Sequence, residues 1–349
     1  MAYTTIKKPS DYFNTKLYTG TGSQLAVTGV GFQPDFVWFK NRGTTNSHGL
    51  QDVVRGFNTT GIQSSNGADA DPSFDGSTLG YVSAVGSDGF TVEAGGCANA
   101  SGNNYVAWNW LAGGTASTNN DGDNACSLSA NATAGFSIST HTVPNVGGGQ
   151  YTIGHGLGKK PKLVITKHIS TTGNFQTYFE GIGTENQQYL QLNSTDALVN
   201  YSDLWGNGMT TSVVGLSNSA LSAGTTAVTY CFSEIRGYSK FGQYTGNGST
   251  DGTFVYTGFK PAFVICKRTD TTNNWHIFDN KRDTFNPTDI TLYANLTNEE
   301  YAETDGMDFL SNGFKARENS AWINASGGSY IYMAFAEEPL VGDNPATAR

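Results

Sequence analysis

The chain has 349 residues, 44 of them Gly, with only 14% charged residues and a net charge of −9. Aromatic residues reach 12%, which excludes a disordered chain, and the shortage of helix formers excludes a coiled coil or helical bundle. The acidic balance, 20 Lys and Arg against 29 Asp and Glu, excludes nucleic-acid binding through a broad positive face.

The N-terminus, MAYTTIKKPSDYF, has no apolar core of the kind a secretory signal needs, and it reads as a short arm that could serve as an attachment peptide. Residues 16–42 then run Tyr-Thr-Gly-x-Gly, Gly-Phe-x-Pro and an apolar stretch ending in a basic residue, and residues 241–268 repeat the pattern. A weaker third copy lies at 150–168, so that Pro34, Pro161 and Pro261 mark equivalent points at a domain-sized spacing. The ends of the copies match as well: NYVAWNW at 104–110, TAVTYCF at 226–232 and SYIYMAF at 329–335 each alternate on the period of a strand.

Within a copy, Phe36-Val37-Trp38-Phe39 reads as a strand buried on both faces, because apolar residues occupy both parities. Val164, Val264, Ala107, Tyr332 and Ala334 fall in comparable patterns and are expected in the core. Short strands with a turn every few residues indicate an all-β chain of three tandem repeated β-sandwich domains, jelly-roll or lectin-like. They span 1–115 with the arm, 125–236 and 237–340. A polar linker, Gly113 to Asn124, separates the first two, and residues 296–303 (LTNEEYAE) are the best helix candidate.

Few residues suggest chemistry. Asn120-Asp121-Gly122-Asp123 lacks the spacing and distal Glu of a calcium loop, and reads as solvated linker. His155 and His168 flank one strand without a third ligand nearby, so no metal and no cofactor is expected. There is no Gly-x-Ser-x-Gly elbow and no HExxH, and no pair of carboxylates stands out by spacing, which argues against an enzyme. Cys231 and Cys266 sit in strand-like runs and read as buried thiols of a reducing compartment. No apolar run is long enough to span a bilayer. Trp38, Trp108 and Trp110 belong to strands. Trp205, Trp275 and Trp322 sit in loop-like sequence and are the candidate ligand-binding residues, because a loop aromatic can stack on a sugar ring.

The segments LYTGTG (17–22), VTGVGFQPDFVW (27–38), YVAWNWLAGGTAS (105–117), SANATAGFSI (129–138), GHGLGKKPKLVI (154–165), GYSKFGQYTGNGSTDGTFVYTGFKPAF (237–263) and SYIYMAFAE (329–337) cover nearly the whole chain. In them the sequence resembles a family of marine bacteriophage proteins, those of cyanophages and pelagiphages among them. The resemblance implies a virion structural protein, tail-fibre-like, folded in the bacterial cytoplasm and exposed on the particle. It implies no catalytic residues. The implied roles are a tail appendage that binds host-surface polysaccharide or, alternatively, a capsid decoration protein. A polysaccharide-degrading enzyme is the third alternative. Expected partners are other virion proteins and further copies of the chain, most simply in a trimer, since sandwich edges need cover. No heptads for a fibre shaft are present.

Overall fold

A computed structural model describes residues 4–71, 75–147, 149–342 and 345–347. Met1–Tyr3 of the arm and Gly148 of the glycine run lie outside the described residues. The chain is nearly all-β, 43% strand and 2% helix, in several antiparallel sheets.

One strand order recurs three times. An opening strand (Phe13–Thr19, Phe136–Thr142, Ser239–Thr245) pairs with a closing strand (Asn104–Trp110, Thr226–Phe232, Ser329–Pro339). The closing strand pairs in turn with the strand at the conserved-looking proline of the repeat (Phe36–Asn41, Leu163–His168, Phe259–Arg268). A fourth strand (Gly49–Asp52, Gln176–Phe179, Trp275–Asp279) and a fifth follow in the same order. Phe36 faces Trp110, Leu163 faces Phe232 and Phe263 faces Phe335, which puts Pro34, Pro161 and Pro261 in register. In the third segment the strand runs through Pro261 with a register shift on either side, a bulge that accommodates a residue with no N–H to donate. A smaller layer covers each large sheet: Leu25–Thr28 with its partners in the first segment, Gln150–Gly154 with Val213–Ser217 in the second, and in the third the far end of the same eight-stranded sheet, Tyr301–Leu310, Gly313–Ala316 and Phe254–Tyr256, joined to the rest through Thr288–Tyr293. The second large sheet also takes in Ser117–Asn119, so part of the expected linker is an edge strand.

The two parities of each large sheet go to different cores. Val37, Phe39 and Ala107 face the small layer of the first segment, as Val164 and Cys231 do in the second and Val264, Tyr332 and Ala334 in the third. Phe36, Trp38, Trp108, Trp110, Tyr230, Phe232, Phe263, Met333 and Phe335, from all three segments, share one central core. Burial on both faces is why the strands read as unbroken apolar runs. Ile6 of the arm is buried in the same central core, so from Thr4 onward the arm is packed against the body.

The segments close into a ring. Asp71 N–H donates to Ile169 O (2.9 Å), Leu198 N–H to Thr269 O (2.9 Å) and Glu300 N–H to Arg42 O (2.8 Å), three equivalent bonds linking first to second, second to third and third back to first. The last of these corrects the expected helix at 296–303. Glu300 spends its N–H on the ring closure rather than on a helical turn, and a strand begins at Tyr301. The α-helix observed is one turn, Gly76–Leu79, capped by Asp75 accepting from Ser77 N–H. Two junctions carry buried ion pairs. Arg55 and Asp52 (2.6 Å) receive Tyr230 of the second segment, whose hydroxyl donates to Asp52 at 2.8 Å. Arg282 and Asp279 (2.5 Å) receive Trp108 of the first, whose indole N–H donates to Asp279 at 3.0 Å. At the equivalent register positions the second segment has Phe179, and Ile182 stands where an arginine stands in the others.

Candidate functional site

The three tryptophans singled out from the sequence are interior, which corrects the expectation of loop rings open to a ligand. Trp205 is 0% exposed; its ring lies edge-on to Tyr178 and its N–H donates to Gln188 O at 3.2 Å. Trp275, 5% exposed, begins the fourth strand of its segment and crosses a junction to donate to Gln191 O at 3.0 Å. Trp322, 8% exposed, stacks on His276 with centroids 4.5 Å apart. Each ring closes an end or a junction of the ring of segments, where its large apolar area is worth more than in water. A loop aromatic can stack on a ligand or plug the end of a sandwich, two readings the sequence leaves open, and the burial of these three rings is that of plugs.

Titratable groups are also inside. Burial, helped by the Lys267 charge, pushes His276 down to about 3, so it is neutral at pH 7. Burial raises the carboxyls of Glu303 and Glu318; Glu303 accepts from the Tyr293 hydroxyl at 3.1 Å, and Glu318 accepts from Ser320. All four cysteines are buried and free, with thiols pushed up by desolvation, which makes them poor nucleophiles. In the linker loop, Asp123 accepts from Thr152 and Asp121 from Asn119. Among the described residues no group of three or more His, Cys, Asp or Glu is placed to hold a metal ion. The central core holds a mostly apolar void of about 30 Å³ between residues such as Phe36, Trp110, Leu163 and Ile265, with no cluster of polar groups to hold a water in place.

Tyr201, Phe285, Tyr301 and Val341 are exposed, and two further exposed rings share one strand on the outer face of the small layer in the third segment. Phe254 and Tyr256, 44% and 55% exposed, flank the buried Val255 on a strand at the edge of the sheet. They are two residues apart, so both rings stand on one face. Tyr256 lies opposite Gly313, which has no side chain to cover it, and Phe254 lies opposite Lys315. Lys315 pairs with Asp251, and Asp308 with Arg317 at 3.5 Å, giving the aromatic pair a polar rim. In the first segment Thr28 faces Gly89 as Tyr256 faces Gly313, and the aromatic positions hold Ala26 and Thr28. The signal was present in the sequence as Phe-Val-Tyr, but its exposure depended on which parity the sheet turned outward.

The site is thus a flat aromatic face on a nearly all-β scaffold of several sheets. The chain belongs to the family of the Domain of unknown function DUF7483, whose model matches residues 8–339 and so spans all three segments as one unit. No curated protein and no solved structure matches the chain. Among the described residues no helix is long and apolar enough to cross a membrane.

Proposed function

We propose that the chain is a bacteriophage virion surface protein that binds a host-surface glycan, built from three copies of one β-sandwich domain. The recurring strand order, with a small layer over each large sheet, supports the three-domain reading. The phage and virion part rests on the sequence resemblance. The binding part is carried by one observation: Phe254 and Tyr256 expose adjacent rings on a flat sheet face with a rim of paired charges. Sugar rings stack their C–H faces on such aromatics, while their hydroxyls bond the ammonium and carboxylate groups beside them. A flat face suits a polymer chain better than a small solute, which a pocket would enclose.

The test is adsorption of purified protein to host cells or to their extracted envelope polysaccharide. Phe254→Ala with Tyr256→Ala removes exposed rings only, so the fold is retained and adsorption is expected to fall at least about tenfold. Unchanged adsorption refutes the aromatic face as the site. Binding to particles lacking the protein, without cell adsorption, supports the capsid decoration role instead. Release of reducing sugars, abolished by Glu303→Gln or Glu318→Gln, supports a polysaccharide-degrading enzyme.

A further inference from the structure

The second segment differs from the other two at one corner. Where the first has Asp52 and Arg55 and the third Asp279 and Arg282, filling the corner with an ion pair, the second runs Phe179-Glu180-Gly181-Ile182-Gly183. Gly181 and Gly183 take φ of 82° and 59°, a left-handed path that glycine adopts without strain. Phe179 and Ile182 fill the ion pair's place from within the central core, and beside them, where Tyr178 turns to the other face of the strand, lies a concavity of about 240 Å³. That is below the roughly 300–1,000 Å³ of sites for drug-sized ligands, and suits one small unit.

Two side chains lining it have buried polar atoms with no partner, the Tyr178 hydroxyl and Gln188 Oε1. Tyr178 is 2% exposed, and its hydroxyl feels both Glu180 and Glu185, which line the same concavity. A buried hydroxyl without a partner costs about 1–3 kcal/mol, and here two such polar groups line one concavity, where a bound hydroxyl would satisfy them. The lining carries Lys160 with Glu180 and Glu185, and Lys162 approaches Glu180 from outside it. Lys160 pairs with Glu185 and lies 3.5 Å from Glu180, and Lys162 also pairs with Glu180. A free anion meets two carboxylates there, and a free cation finds both carboxylates already paired with lysines, so neither is favoured.

We infer that this corner of the second segment is a binding site for a neutral polyhydroxylated unit, a single sugar residue. Its hydroxyls both donate and accept, which matches an orphaned phenol hydroxyl, an orphaned amide oxygen, carboxylate acceptors and ammonium donors around one small space. The site is separate from the aromatic face of the third segment, and its test does not depend on that reading.

The experiment is NMR titration of the whole protein with glucose, galactose, mannose and N-acetylglucosamine, and separately with inorganic phosphate. At least one neutral sugar gives a saturable response in the millimolar range, and phosphate gives none. Tyr178→Phe weakens the response about tenfold, the value of one lost hydrogen bond. Because it deletes a hydroxyl with no protein partner, the ligand-free variant melts no lower than wild type. Gln188→Met, a second variant, weakens the same response. Phe254→Ala with Tyr256→Ala leaves it intact, which separates this site from the aromatic face. No response to any of the four sugars, a response to phosphate instead, or a sugar response unaltered in both Tyr178→Phe and Gln188→Met overturns the inference.

Discussion

Three lysines, Lys40, Lys167 and Lys267, occupy equivalent positions near the end of the proline strands and are fully buried. Lys167 shows what they do: its ammonium crosses from the second segment to the first and donates to Asp69 O at 2.6 Å and Ala68 O at 3.1 Å. Desolvation lowers its pKa from 10.5 to about 8, against the opposing pull of Asp71 and Asp69, while Arg55 pushes the same way as burial. A displacement of that size corresponds to about 3 kcal/mol of charge-burial cost at pH 7. The sign follows from proton counting. Between the folded and unfolded pKa values the unfolded chain binds more protons at this site, so its contribution to stability rises with pH and is complete only above the unfolded value. Roughly 1 kcal/mol of it is recovered between pH 7 and pH 9. The variant Lys167→Met keeps the length of the side chain and removes the titration. Denaturant unfolding of both proteins at pH 7 and pH 9 gives the difference directly. The other two buried lysines, Lys40 and Lys267, which burial likewise lowers to about 8, are common to both and cancel. Wild type is expected to gain about 1 kcal/mol on the variant across that interval; a difference that does not change with pH refutes the burial of a charged ammonium at this junction.

Other consequences of the ring are open to simple measurement. Asp279→Ala removes the close carboxylate partner of the buried Arg282 guanidinium, leaving it only the 3.4 Å contact to Glu300 as an ion pair, and takes the acceptor from the buried Trp108 N–H; it is expected to cost about 3–5 kcal/mol in urea unfolding, and a loss below about 1 kcal/mol contradicts the burial. Trp205→Ala is expected to cost about 3–5 kcal/mol as well, through the cavity left beside Tyr178, with no loss of glycan adsorption in the fraction that stays folded. A chain ending at Arg236 exposes Phe13, Trp110 and Phe232, which pack on Phe335 of the third segment. It is expected to aggregate, and a monomeric fragment with a cooperative melt sinks the shared core. The ring also brings three segments of one strand order together within one chain, so light scattering tells whether a trimer of chains forms in addition to it.

The repeat, the strands and the core residues were legible along the chain because they depend on local periodicity. Phe36, Trp38, Val164 and Val264 alternate with residues that are equally apolar, and that double parity announced strands with no wet face. Glycine and proline punctuation marked the same turn in each copy for the same steric reason. Only the tertiary structure decided where the second parity went. Nothing in the order Phe36, Trp108, Tyr230, Phe263 says that these side chains meet, since the contacts join positions more than a hundred residues apart and depend on how three sheets are turned toward one another. The loop tryptophans went inside for that reason, as plugs at places where segments end or join. The LTNEEYAE stretch became a bridge to Arg42 because a neighbour offered a carbonyl that no local rule describes. Phe254 and Tyr256 came to lie outside because the small layer of the third segment turns that parity to solvent, and the corner at Tyr178 lies on the parity opposite to Phe179 and Ile182, which fill with apolar side chains the place its sister segments give to an ion pair.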